Sequence, residues 1–184
     1  MKNLTRDEIL TAAEVLVEQT EMHKVTLGQV GGALGVSHAA LYKHFKNKQD
    51  LWTSLALRWL DNALQDIFPF VPKKNDTPMT IVHDWLWQLT VSKMRAKSND
   101  PRMFEVYTTY IDHNYEALSK HTTDLKNSLM QAANISDPAF AGSLLLSFVY
   151  FSSPAFSETW GPNTKSQFEQ VWKLVVPGIS HQLS

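Results

Sequence analysis

The chain has 184 residues, of which 43% are apolar and 19% charged, and a formal net charge of −1 at pH 7. That balance describes a globular chain long enough to bury a core, and it excludes both a disordered segment and a protein that coats polyanions through bulk charge. Cysteine is absent, which excludes disulfides, thiolate zinc sites and thiol redox sensing.

Met1-Lys2-Asn3 leads into Asp7 and Glu8 rather than into an apolar run, so no secretion signal is expected and a cytoplasmic protein is. The first helix is announced by Thr5-Arg6-Asp7-Glu8, a capping box in which hydroxyl and carboxylate satisfy each other's orphan amides. Ile9, Ala12, Ala13, Leu16 and Val17 continue it at helical spacing to about Glu18. Thr26 and Gln29 form a second box and open a short helix that reaches Leu34, where Gly35 supplies the left-handed stop. Ser37 is expected to cap a further short helix, His38 to Phe45. Two short helices joined through a glycine turn make a helix-turn-helix unit.

Asn47 to Asp50 starts a longer helix, with Leu51, Leu55, Trp59 and Ala63 on one face, expected to end before Pro69. Residues 70–77 read as a connecting loop, and Pro78 opens a helix reaching about Ala96. Asp100-Pro101 repeats the cap-then-proline signal before a long periodic segment, expected to break near Asp112 to Asn114. Ser136-Asp137-Pro138 opens a helix running to Ser152, and a last one carries Phe168, Val171, Trp172, Val175 and Val176 until Pro177-Gly178 stops it. The expectation is an all-α fold of about nine helices. Residues 1–50 would form the helix-turn-helix domain, linked through a helix at 51–68 to a second domain at 69–184. The uncharged run Ala139 to Ser157 approaches a membrane span in length, but four serines and Pro154 interrupt it, so a doubly buried helix is expected instead.

Thr26 to Leu51 holds the informative motif. Its Leu34-Gly35-Val36-Ser37 turn leads into Tyr42-Lys43-His44-Phe45 and then Lys48 before Leu51. This segment resembles the signature of the TetR family of bacterial transcriptional regulators, and the likeness covers residues 5 to about 55. Gly31 and Gly32 depart from it, standing where the family usually has alanine or another good helix former. The resemblance implies a DNA-binding N-terminal reader on a helical, ligand-sensing and dimerising C-terminal domain. It also implies phosphate contacts from Thr26, Tyr42, His44 and Lys48.

The residues support that reading independently. On a helix from His38, Leu41 and Phe45 share an inward face, which leaves Ala39 and Lys43 outward, flanked by Ala40 and Tyr42. Small alanines permit close approach to base edges, while His38 or Lys43 can donate to guanine. Ser37 and Thr26 are helix caps first, and a phosphate contact would be an additional role. No Asp or Glu occurs between Glu21 and Asp50, whereas Lys24, Lys43, Lys46 and Lys48 do, so one surface is locally basic on a near-neutral chain.

The C-terminal part offers composition rather than a motif. Trp85, Met103, Tyr107, Tyr110 and Phe148 are candidates to line an apolar or aromatic effector pocket, with ordinary core packing as the plainer role. Leu144, Leu145, Phe148, Phe168, Trp172 and Val175 are candidates for a homodimer interface. His113 with Glu116, and His121 with Asp124, have the spacing of paired ligands, but no third ligand accompanies them and no metal or other cofactor is expected. No phosphate loop, nucleophile elbow or acid/base pair suggests an enzyme. The expected function is a repressor released from a palindromic DNA operator by a small molecule. The alternative is a constitutive or architectural DNA-binding protein without such a ligand.

Overall fold

The computed structural model describes residues 4–112 and 114–183, and among them every regular element is helical. They fall into two compact units. The first contains the chain up to Asn62 and the stretch Asp100–Leu118; the second contains Ala63–Asn99 and the chain from Ser119 onward.

In the first unit α1 (Arg6–Gln19) and α2 (Leu27–Leu34) each start on the expected reciprocal box, Thr5 with Glu8 and Thr26 with Gln29. Gly35 ends α2 at φ 66°, a left-handed conformation in which any side chain would be strained. Ser37 stands at the N-cap of α3 (His38–Leu41) with extended backbone, but its hydroxyl makes no capping hydrogen bond. The helix expected to reach Phe45 is only one turn long. Its chain then tightens, because the Leu41 carbonyl accepts from both His44 and Phe45 N–H groups, at 2.9 and 3.0 Å. This turn drops Phe45 into the core and frees the chain for the next cap, in which Asn47 Oδ1 accepts from Asp50 N and Asp50 Oδ2 from Lys46 N.

α4 (Lys48–Ala63) stops short of Pro69. Beyond it the Leu64 carbonyl accepts from Ile67 and Phe68, a tight turn that buries both Leu64 and Ile67 completely. α6 (Pro101–Tyr107) is capped by Asp100, whose other carboxylate oxygen accepts from Trp59 Nε1 at 3.2 Å. A π-helical stretch, Thr108–Asp112, follows, and α7 (Tyr115–Ala133) begins three residues later, so the periodic segment is interrupted. His113 lies outside the described residues.

In the second unit α5 (Pro78–Asn99) packs against α9 (Thr164–Leu183). α8 (Pro138–Ser147) ends five residues before the expected Ser152. A 3₁₀ turn, Val149–Phe151, replaces its last residues and turns both Phe148 and Phe151 inward. The final helix also differs: α9 continues through Pro177. Proline removes one N–H from the ladder, and the loss is tolerated because Pro177 and Gly178 face solvent while Ile179 beyond them is buried. Phe148 and Phe168, with centroids 4.9 Å apart, anchor an aromatic cluster that includes Trp87, Phe151 and Trp172. No helix among the described residues is long and apolar enough to cross a membrane.

Candidate nucleic-acid interface

Packing within the helix-turn-helix fixes which side chains reach outward. Val30 and Leu41 are buried, and α2 approaches the turn after it so closely that a Cβ on Gly31 would lie 3.0 Å from the Val36 carbonyl oxygen. The same construction on Gly32 meets nothing within 4 Å. Only Gly31 therefore answers to close approach.

The outward surface is drawn from both sides of the buried Leu41. Ser37, His38, Ala39, Tyr42 and Lys43 are exposed, and Ala40 and His44 are half-buried. The His38 and Tyr42 rings meet edge-on at 5.0 Å, so imidazole and phenol present one joined rim to solvent. Thr26 and Lys48 are exposed at the starts of α2 and α4. The Thr26 hydroxyl is already engaged, accepting from Gln29 N at 3.2 Å and lying 3.0 Å from Gln29 Oε1, so a phosphate would compete with the cap. Ser37 carries no such commitment to a cap.

The local basic charge is smaller than a count of lysines suggests. Lys24 Nζ lies 2.7 Å from Glu21, and this hydrogen bond and charge hold the Glu21 carboxyl below the usual carboxylate range. Lys43, Lys46 and Lys48 are exposed around the reader.

Long-range arginine contacts tie the helices of the first unit together, and sequence spacing gave no sign of them. Arg6 donates from Nη1 to the His44 carbonyl oxygen and from Nη2 to Ser54 Oγ, the latter at 2.9 Å. Its guanidinium carbon lies 4.1 Å from the Phe45 ring centroid, and Asp50 is 3.9 Å away. Arg58 binds Glu14 at 2.6 Å, and Arg102 donates to the carbonyls of Val17 and Glu18 at the end of α1. These pairs are separated by 38 to 85 positions in sequence.

The other candidates lie elsewhere. Trp85 and Phe148 are buried in the second unit, where Trp85 Nε1 donates to Ser128 Oγ at 3.1 Å. Met103 and Tyr107 are buried in the first, and Tyr110, half-buried, stacks obliquely near Trp52 at 6.3 Å. A groove of about 370 Å³ in the second unit is lined instead by Trp87, Val91, Met94, Arg95, Pro162 and Lys165, among others. Of the interface candidates, Leu144, Phe148 and Phe168 are buried within the second unit, while Leu145, Trp172 and Val175 are half-buried. His121 Nε2 lies 3.2 Å from the ammonium of Lys93, and Asp124 pairs with Lys120.

Known proteins give a consistent picture. Residues 9–55 match the family model described as bacterial regulatory proteins, tetR family. Over 77 residues the chain is 34% identical to the nucleoid occlusion factor SlmA of Photorhabdus laumondii, covering 41% of this chain and 39% of that one. Over 51 residues it is 39% identical to the HTH-type transcriptional regulator AcrR of Shigella flexneri, covering 28% and 24%. The matched region thus spans well under two thirds of the curated relatives. A TetR transcriptional regulator from Rhodococcus sp. RHA1 shares the fold at a TM-score of 0.65 and 20% identity, over 92% of this chain and 94% of that one. The N-terminal segment thus matches the tetR family of bacterial regulatory proteins in sequence, and the fold is that of a TetR transcriptional regulator over nearly the whole chain.

Proposed function

We propose that the chain is a DNA-binding transcriptional regulator acting as a repressor. The observation that carries this is the exposed rim of α3 and its turn, His38, Ala39, Tyr42 and Lys43, beside a carboxylate-free stretch from 22 to 49. A one-turn helix with small outward residues enters a major groove with its first residues toward the bases. In this reading Ala39 and Ala40 allow approach and touch thymine methyls, and His38 and Lys43 read base edges. Tyr42, His44 and Lys48 hold phosphates, with Thr26 and Ser37 at the helix starts adding donors.

Regulation requires a second site whose ligand distinguishes two arrangements of the protein. We assign that role to residues 69–184, whose aromatic content suits a small apolar or aromatic effector; the groove at Trp87, Val91 and Met94 supports this by its size. Repeated selection of duplexes from a random pool on the full chain tests the reading. A palindromic consensus supports it, and recovery of no consensus overturns it.

A second reading is a DNA-binding protein without a small-molecule effector, since one matched relative is named a nucleoid occlusion factor and not a transcriptional regulator. A thermal-shift screen against apolar and aromatic compounds discriminates, because an effector that binds only the folded protein must raise its melting temperature.

A further inference from the structure

Resting on the DNA-binding reading, we propose that Arg6 is a positioning residue for the reading segment, acting as the external cap that fixes the exit of α3. A four-residue helix has no stability of its own, since nucleation is unfavourable and most of its carbonyls have no partner inside it. Its geometry is therefore set by whatever holds its two ends. The entry is held by the Gly35 turn, where Gly31 and Gly32 carbonyls accept from the Gly35 N–H.

The exit is held by Arg6. Its side chain reaches across from α1 and makes four contacts on the segment 44–54. One guanidinium nitrogen takes the His44 carbonyl, an orphan acceptor at the end of the turn, and the other takes Ser54 Oγ on α4. The guanidinium lies over Phe45, the side chain that plugs the reading segment into the core, and is 3.9 Å from Asp50, which holds the Lys46 amide. A planar fork meets hydroxyl, carbonyl and ring together, which a lysine ammonium cannot reproduce. With Nη1 turned to the His44 carbonyl and Nη2 to Ser54, Arg6 acts on DNA through Tyr42 and His44, and the salt slope below separates this from a phosphate contact of its own.

Amide hydrogen exchange on the free full-length chain, combined with binding to a duplex selected by the wild type, tests this for Arg6→Gln and Arg6→Lys. In Arg6→Gln the His44 and Phe45 amides, both bonded to the Leu41 carbonyl, should exchange about tenfold faster, with α5 and α9 unchanged. Affinity should fall about tenfold while the slope of log K against log salt stays at the wild-type value. Arg6→Lys, which keeps the charge but not the fork, should fall between. Unchanged exchange and affinity would overturn the proposal, as would faster exchange spread evenly over the whole chain, the mark of general destabilisation. A slope lowered by about 0.9 per contact would overturn it in favour of a direct phosphate contact. If the wild type selects no duplex, the DNA reading fails by itself, and the exchange data still decide whether Arg6 caps the segment.

Discussion

Gly31 and Gly32 are neighbours in one helix with opposite reasons for being there. Each lowers helix stability by roughly 1 kcal/mol relative to alanine. Gly32 faces open space, so Gly32→Ala should recover most of that amount. Gly31→Ala adds a methyl 3.0 Å from the Val36 carbonyl, a backbone group held in the turn itself. It should therefore be less stable than Gly32→Ala by about 1–2 kcal/mol, the usual cost of overpacking. Chemical denaturation of both variants measures the difference, and equal stabilisation would show that the turn can yield. Lys48 and Lys43 are separable in the same way. Lys48→Ala should weaken binding to every sequence and lower the salt slope by about 0.9 for each phosphate released. Lys43→Ala should instead relax base preference at particular positions by about 1–3 kcal/mol each. A uniform loss across all base substitutions would make Lys43 a phosphate contact.

At the scale of elements, legibility follows the range of the interaction. The starts of α1, α2 and α6 were readable because each is decided by residues close in sequence: Thr5 with Glu8, Thr26 with Gln29, and Asp100 followed by Pro101. The exposed rim of α3 was readable for the same reason, since Leu41 and Phe45 define its inward face. The end of α2 was readable from Gly35, but those of α4, α8 and α9 were not, because burial decides them: Leu64 and Ile67 end α4, Phe148 and Phe151 end α8, and Ile179 carries α9 past a proline. The contacts of Arg6 and Arg102 had no local signal, as their partners are far away in sequence and several are backbone carbonyls, which every residue has.

Lys93 and His121, respectively 1% and 7% exposed, form another pairing that only the fold creates. Burial first, then the charges of Lys93 and Lys120, push the His121 imidazole well below its usual value of 6.5. The unfolded chain thus binds a proton below about pH 6.5 that the folded chain refuses, so stability is full above that pH and declines as it falls toward the folded value. His121→Gln should flatten the decline of melting temperature between pH 7.5 and pH 5.5. An unaltered pH profile would assign the acid sensitivity elsewhere.

For the whole molecule the decisive question is assembly. One helix-turn-helix makes too few base contacts for a unique site, whereas a two-fold pair reads half-sites about 34–36 Å apart or multiples of that. The operator reading therefore requires a self-complementary patch. The second unit carries exposed large apolar residues on the two elements first considered: Leu146 of α8 is 72% exposed and Leu174 of α9 is 80% exposed, with Val149 between them in sequence. The neighbouring serines do not oppose burial. Ser143 and Ser147 donate back to the Ala139 and Ser143 carbonyls, so they can be covered without leaving a donor unsatisfied. Leu144, Phe148 and Phe168 already fill the interior of this unit, so replacing them would test folding rather than association. The informative variant is Leu146→Glu/Leu174→Glu, which changes two side chains that face solvent within the single chain. Light scattering should give a dimer for the wild type and a monomer for the double variant, both with the same helical circular dichroism. The variant should also lose at least the hundredfold of affinity that linking two readers supplies. A monomeric wild type would remove the two-fold reading altogether, and a dimeric variant with full affinity would move the interface away from Leu146 and Leu174.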